Sequence, residues 1–156
     1  MKRINLLKSL MKNLKDKKEN NGDNDIKLML DKNLNLSPAD KKIIKQFCSL
    51  CYSMLELTGD YKCYLSADRK KSHIKTTAIC SYGKNNIRIY CHERSIADIL
   101  RSIGHEMFHL RQHEMDQVPV KMKSHHLNPI EWTANAAGGS LISYFADMIG
   151  KDKIYR

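Results

Sequence analysis

Residues 95–113 read SIADILRSIGHEMFHLRQH and contain the strongest structural signals in the chain. Ser95 is a residue type that caps helices, and Asp98 lies at the third helical position, where an acidic residue suits the start of a helix. Apolar residues then recur every three or four positions, at Ile96, Ile99, Leu100, Ile103, Met107 and Leu110. This spacing predicts an amphipathic helix from residue 96 to about residue 113, with one face buried.

Within this helix, two histidines flank a glutamate in the pattern H-E-x-x-H, formed by His105, Glu106 and His109. Residues four apart lie one above the other on a helix, so both imidazoles can reach one metal ion at about 2.0 to 2.1 Å. Glu106 is displaced around the helix, where its carboxylate is suited to act as general base on a metal-activated water. The alternative is a helix with two surface histidines beside a stabilising glutamate and no metal.

A catalytic zinc ion usually has three protein ligands, so a third must come from elsewhere in the chain. His113 continues the row on the same helix, but it lies a further turn away, about 6 Å by helix rise, and would bind the same ion only with strain. Glu131 is the better candidate because it lies in the first turn of the next predicted helix. Its alternative role is to bond back to the cap at Asn128, which requires no metal.

The remaining elements predict an α+β fold. Ser37-Pro38 begins a helix through about residue 57, and Asn128-Pro129 begins one through about residue 149. Three stretches between these helices have strand character: residues 61–67, 74–82 and 86–92. We expect a small antiparallel sheet of about three strands, with the H-E-x-x-H helix and the following glutamate helix packed on one side.

The glutamate some twenty residues after H-E-x-x-H, with Asn135 four positions beyond it, resembles the pattern of the gluzincin branch of zinc metallopeptidases. The order of elements over residues 37–150 is similar to the smallest members, the minigluzincins, and the Glu-x-x-Ala-Asn piece is similar to ImmA/IrrE-type peptidases. The resemblance implies a zincin-like fold with one Zn²⁺ per chain. It implies that His105, His109 and Glu131 are the ligands, that Glu106 is the catalytic base, and that Asn135 orients a ligand histidine.

Peptidases of this kind also need an oxyanion-stabilising side chain and a place for the substrate. No downstream motif identifies the former, and its candidates are Tyr144, His125 and His126. A protein or peptide substrate can be added to the sheet as a further strand. We therefore expect it to bind along residues 86–92 or along their neighbour, residues 74–82.

Composition is that of a single soluble domain. The chain has 156 residues, of which 42% are hydrophobic and 28% charged, which suffices for one core. It has no run of about 18 apolar residues, so we expect neither a transmembrane segment nor export. Five cysteines at irregular spacing do not suggest a disulfide framework, and we expect a cytoplasmic protein whose thiols pack in the core.

Half of the net charge of +10 lies in residues 1–20, which contain seven lysines and arginines against Asp16 and Glu19, and the other half is spread along the chain. Apolar residues at helical spacing predict a basic amphipathic helix over residues 1–18, followed by a polar linker. We therefore divide the chain into this helix with its linker, residues 1–25, and a metallopeptidase domain, residues 26–156. The helix either docks on the domain or contacts an anionic partner.

The sequence thus predicts a zinc-dependent endopeptidase that hydrolyses peptide bonds of a cytoplasmic protein, with Glu106 as general base. The alternative is an inactive or regulatory zinc-binding protein of zincin-like fold, which associates with partners, nucleic acid included, through its basic surface. The two hypotheses differ at Glu106, because only hydrolysis requires its carboxylate.

Overall fold

The computed structural model describes residues 25–70, 77–118 and 129–156. Within these ranges lie four strands and four helices, in the order β1 (Ile26–Leu30), α1 (Pro38–Met54), β2 (Tyr61–Ser66), β3 (Ala78–Ser81), β4 (Asn86–Tyr90), α2 (Ile96–Glu114), α3 (Pro129–Ile149) and α4 (Lys151–Ile154). A 3-10 turn, Tyr82–Lys84, joins β3 to β4. The predicted helix over residues 1–18 lies outside the described residues, as do residues 74–76 of the second predicted strand.

Helices α1 and α2 begin where the sequence predicts. The Ser37 hydroxyl accepts a hydrogen bond from the backbone N–H of Asp40 at 3.1 Å, and the Ser95 hydroxyl accepts one from Asp98 at 3.2 Å. Each bond satisfies one of the N–H groups that the first turn of a helix leaves unpaired. Ser95 therefore sets the start of α2, which carries the H-E-x-x-H residues.

The sheet is mixed, not antiparallel as predicted, and its four strands lie in the order β1-β2-β4-β3. β1 is parallel to β2, β2 is parallel to β4, and β3 is antiparallel to β4. The prediction was wrong because local alternation identifies strands but does not specify which strands are neighbours. Ile87 and Ile89 of β4 are fully buried, which favours a central position, whereas β3 has no buried residue and lies at an edge.

Strand β1 was not predicted from the sequence. Its five residues, IKLML, are too few for a clear alternation signal, and its backbone hydrogen bonds come from pairing with β2. It lies at the edge opposite β3, so the order of the sheet leaves both β2 and β4 in the interior.

One hydrophobic core fills the space between the sheet and the helices. Strands β2 and β4 direct Cys63, Leu65, Ile87 and Ile89 into it, and none is more than 1% exposed. The helices contribute apolar residues from their buried faces: Ile44, Phe47, Leu100, Ile103, Met107, Leu110, Ile142 and Phe145. Alternate strand residues point to the other side of the sheet, where Lys62 is exposed and Arg88 is partly exposed.

Four of the five free cysteines are buried, at positions 48, 51, 63 and 91, as expected for thiols that pack in the core. Burial raises the pKa of Cys51 well above its ordinary value and raises the pKa of Cys91 to about 12. Both side chains therefore remain neutral thiols at physiological pH. In the described part of the chain, none of the helices combines the length and apolar character needed to traverse a bilayer.

Candidate metal centre

Helices α2 and α3 cross at two glycines, and this crossing brings the predicted site residues together. A Cβ atom placed on Gly138 would lie 3.0 Å from the backbone nitrogen of His105, and one placed on Gly104 would lie 3.2 Å from the Cα atom of Gly138. Glycine is needed for so close an approach of two backbones. Glu131 lies seven residues before Gly138, so it shares the face of α3 that packs against α2.

The imidazoles of His105 and His109 meet the Glu131 carboxylate at this face. The two Nε2 atoms lie 3.0 Å apart, and the ring planes are nearly perpendicular, at 83°. Oε2 of Glu131 lies 3.1 Å from Nε2 of His105, and Oε1 lies 3.1 Å from Nε2 of His109. Potential ligand atoms from two helices therefore converge on one point.

Gln112 holds His109 in a defined orientation. Its amide nitrogen donates to the backbone carbonyl of Ile130 at 3.1 Å, so its Oε1 atom is the one that faces His109. That oxygen only accepts hydrogen bonds, and it lies 2.7 Å from Nδ1 of His109, which must donate and thus carry the ring proton. In the neutral ring, which is the form that binds metal ions, Nε2 of His109 then has a lone pair directed at Glu131.

This network places two acceptors, Nε2 of His109 and the Glu131 carboxylate, 3.1 Å apart. Two acceptors repel each other unless a proton or a metal ion lies between them. A tetrahedral zinc ion with ligands at about 2.0 to 2.2 Å places neighbouring donor atoms about 3.3 to 3.6 Å apart. The observed separations of 3.0 and 3.1 Å come within a few tenths of an ångström of that spacing. The donor atoms thus fit a metal ion of this size.

The electrostatic surroundings keep His105 neutral. Burial lowers its pKa, and the proximity of His109 lowers the pKa further, whereas Glu131 and a hydrogen bond with Asn135 act in the opposite direction. Asn135 lies one turn after Glu131, so one face of α3 supplies both contacts. A neutral imidazole is the form that binds metal ions, and the burial of His105 favours it.

Glu106 is buried beside His105. It is 7% exposed, and its Oε1 atom lies 3.9 Å from Nε2 of His105, farther than the 3.1 Å that separates Glu131 from the same atom. Burial, followed by the charge of Glu131, raises the pKa of Glu106 to about 8. On β3, burial and then the charge of Glu106 raise the pKa of Cys80.

In the part of the chain that the structure describes, His105, Glu106 and His109 form a group that can hold a metal ion, with one potential ligand atom of each within 4.8 Å of the others. His113 points elsewhere, because its ring stacks on Tyr82 with a centroid distance of 4.7 Å.

Of the three candidates for stabilising an oxyanion, Tyr144 is wrong. It lies thirteen residues after Glu131 on α3, a rise of about 20 Å along the helix axis, which its side chain cannot span. The other two, His125 and His126, lie outside the described residues. Asn128, the predicted cap of α3, lies outside them as well.

Two residues of the site carry no motif in the sequence. Gln112 is three positions after His109, a spacing that places two side chains side by side on a helix and is therefore a usable signal. Gly138 matters only because of where α3 crosses α2, and no local pattern encodes that crossing. Gln112 could therefore have been predicted from the sequence, whereas the role of Gly138 required the tertiary structure.

A comparison with known protein families, curated proteins and solved structures gives no match. The function proposed below therefore rests on the geometry of His105, Glu106, His109 and Glu131.

Proposed function

We propose that the chain is a zinc-dependent endopeptidase of the gluzincin type, in which His105, His109 and Glu131 hold the metal and Glu106 is the general base. The observation that carries the proposal is the position of the Glu131 carboxylate, which presents one oxygen to each imidazole at 3.1 Å. A glutamate that served only to cap its own helix would have no reason to face two histidines on another helix.

The donor set favours zinc over harder cations. Two imidazoles and one carboxylate are a ligand set found in catalytic zinc sites, whereas Mg²⁺ and Ca²⁺ prefer oxygen ligands alone. Glu131 is the third ligand in this proposal because it approaches His105 to 3.1 Å, while Glu106 remains at 3.9 Å. Gln112 and Asn135 would orient the two histidines, as partners of metal-bound imidazoles generally do.

A bound zinc ion would supply a Lewis acid that activates water and polarises a peptide carbonyl. Glu106 would then accept a proton from the attacking water on a carboxylate oxygen and return it to the leaving amine. Its location supports this role, since it is buried beside the imidazoles without facing both of them. A cation nearby would lower the raised pKa of Glu106 and favour the ionised form that a base requires.

The substrate would bind along β3. β4 is paired with β2 on one side and with β3 on the other, so the first of the two predicted edges is wrong because that strand has no free side. β3 is paired only with β4 among the described strands, and it packs against α2, the helix that carries Glu106. An extended peptide added to β3 would therefore pass the proposed base with its carbonyls aligned by backbone hydrogen bonds.

Metal content tests the ligand assignment. Elemental analysis of the purified full chain should find one zinc ion per chain, and Glu131→Gln should lose most of it. Glu93→Gln is the matched control, because Glu93 is exposed and lies before α2. Equal zinc content in the two variants would overturn the role of Glu131.

Peptide hydrolysis tests the role of Glu106 as general base. Glu106→Gln should keep its zinc and lose at least about a hundredfold in peptide hydrolysis, measured by mass spectrometry on a complex peptide mixture. Full activity of this variant would eliminate the mechanism. Zinc binding without cleavage by the wild-type chain would instead support the non-catalytic zinc-binding protein.

A further inference from the structure

The side of the sheet that points away from the helices carries a group of basic and aromatic side chains. We call it the outer sheet face and define it by Lys27, Lys62, Tyr64, Arg88, Tyr90 and, just beyond β2, Arg69. These residues alternate along the strands with those that fill the core, so they belong to the opposite side from α2 and the metal centre. The outer sheet face is thus independent of the proposed peptidase site.

Among the described residues, no ion pair joins a basic side chain of this face to an acidic one. The ion pairs of lysine and arginine in residues 25–70, 77–118 and 129–156 involve Arg101, Lys151 and Arg156. None of the four strands contains an aspartate or a glutamate. As far as the described residues go, the strands therefore give this face a positive charge that would attract an anionic partner.

Two of the cations are direct neighbours. Lys27 of β1 and Lys62 of β2 are paired in register, on strands that lie about 4.8 Å apart. Like charges in adjacent positions destabilise a sheet, and a bound anion would offset this repulsion. The pair is consistent with a surface whose charge is neutralised by a ligand.

The aromatic side chains lie on the two central strands. The guanidinium of Arg88 lies 4.4 Å from the ring centroid of Tyr64, and that of Arg69 lies 4.4 Å from the ring centroid of Tyr90. Tyr64 on β2 and Tyr90 on β4 thus each form a planar surface with a cation above it. Aromatic rings and guanidinium planes are the groups on which unpaired bases stack.

We propose that the outer sheet face binds single-stranded nucleic acid, with phosphates near Lys27 and Lys62 and with bases stacked on the guanidinium planes of Arg88 and Arg69, which lie over Tyr64 and Tyr90. The stacking planes favour unpaired bases, because the bases of a duplex are already stacked on one another inside it. Stacking planes among the cations distinguish this face from a purely charged surface that would serve an acidic membrane equally well.

Charge removal tests the location of binding. The anisotropy of a fluorescein-labelled single-stranded oligonucleotide of mixed sequence would be measured with the full chain over a salt titration. Removing two cations with Lys27→Ser and Lys62→Ser should make the slope of log K against log salt shallower by about 1.4. The control variant, Lys41→Ser with Lys45→Ser, removes the same charge from exposed positions of α1 and should leave the slope unchanged. Every variant retains the basic residues 1–20, so differences in slope report the outer sheet face.

Ring removal tests stacking. Tyr64→Leu and Tyr90→Leu keep apolar bulk and should each weaken binding about tenfold at fixed salt, with an unchanged salt slope. If the double lysine variant does not fold, as judged by circular dichroism, Lys27→Ser alone on the edge strand should change the slope by about half as much.

Four results would overturn the proposal. The oligonucleotide does not bind, or the α1 control variant changes the salt slope as much as the double lysine variant does. Alternatively, a duplex of the same sequence competes for the protein as well as the single strand does, or the protein binds only phosphatidylserine vesicles. The proposal is supported if the protein binds the single strand and neither the duplex nor the vesicles displace it. Zinc content should be unaffected in all of these variants, which keeps failure here separate from failure of the peptidase proposal.

Discussion

Gly138 packs directly against the backbone of His105. A Cβ atom at position 138 would lie 3.0 Å from the backbone nitrogen of His105 and 3.0 Å from the carbonyl oxygen of Arg101. Backbone atoms cannot move aside as a flexible side chain can, so even a methyl group would force α3 away from α2. This contact sets the distance between the imidazoles on one helix and Glu131 on the other.

We expect Gly138→Ala to weaken zinc binding by about tenfold or more, because a shift of a few tenths of an ångström moves Glu131 away from both histidines. Gly139→Ala is the matched control, since a Cβ atom there would meet nothing within 4 Å. Both substitutions raise helix propensity by about 0.5 to 1 kcal/mol, so only the clash distinguishes them. Trp132, the single tryptophan, adjoins Glu131 and can report zinc titrations by fluorescence. Equal zinc affinities for the two variants would contradict this role of Gly138.

The Gln112 side chain hydrogen-bonds to His109 and to the backbone carbonyl of Ile130 at the start of α3. The two hydrogen bonds can be tested separately. Gln112→Leu removes both hydrogen bonds and should lower zinc affinity by about 10- to 100-fold. Gln112→Glu keeps an acceptor for Nδ1 of His109 but removes the donor to Ile130, so we expect a smaller loss. The control is Gln46→Leu at an exposed position of α1, and zinc affinity is the measurement. A wild-type affinity for Gln112→Leu would show that His109 needs no such partner.

Glu106 should make the metal-free protein less stable as the pH rises. Its folded-state pKa of about 8 lies above its ordinary value of 4.5, so the folded chain holds a proton that the unfolded chain has lost. The stabilisation is therefore complete below about pH 4.5 and declines towards pH 8, with a slope of at most about 1.4 kcal/mol per pH unit.

Urea unfolding of chelator-treated protein between about pH 5 and pH 9 measures this dependence, with Glu106→Gln as the comparison. The variant cannot ionise, so the difference in unfolding free energy between it and the wild type should change across this range. If the free energy of unfolding depends on pH in the same way for both proteins, the pKa of Glu106 is not raised. Saturating zinc should reduce the difference, since a neighbouring cation favours the carboxylate.

Tyr144 should tolerate loss of its hydroxyl. The hydroxyl oxygen is buried and has no hydrogen-bond partner among the described residues, and it lies about 20 Å along α3 from Glu131. We expect Tyr144→Phe to leave the free energy of unfolding unchanged or to raise it by up to about 1 kcal/mol, by thermal or urea unfolding. Zinc content and peptide hydrolysis should match the wild type. A large loss of hydrolysis at normal zinc content would return Tyr144 to the candidates for oxyanion stabilisation.

Sequence patterns predicted helices α1, α2 and α3 and the candidate metal ligands because these signals are local. The capping serines Ser37 and Ser95 act within three residues of themselves, and His105 and His109 share a face because of helical periodicity alone. Glu131 was a candidate from its position in the first turn of a predicted helix. Each of these inferences needed only the geometry of a single element.

The tertiary structure decided how those elements are arranged. Which strands are neighbours depends on pairing between distant segments, so the mixed order β1-β2-β4-β3 could not be obtained from alternation in any one strand. The meeting of Glu131 with the histidines depends on the crossing at Gly104 and Gly138, where two glycines allow backbones to touch. By itself, the sequence determined which side chains can bind a cation. Only packing between helices decided that they meet, because contact between distant residues depends on the shape of the whole core.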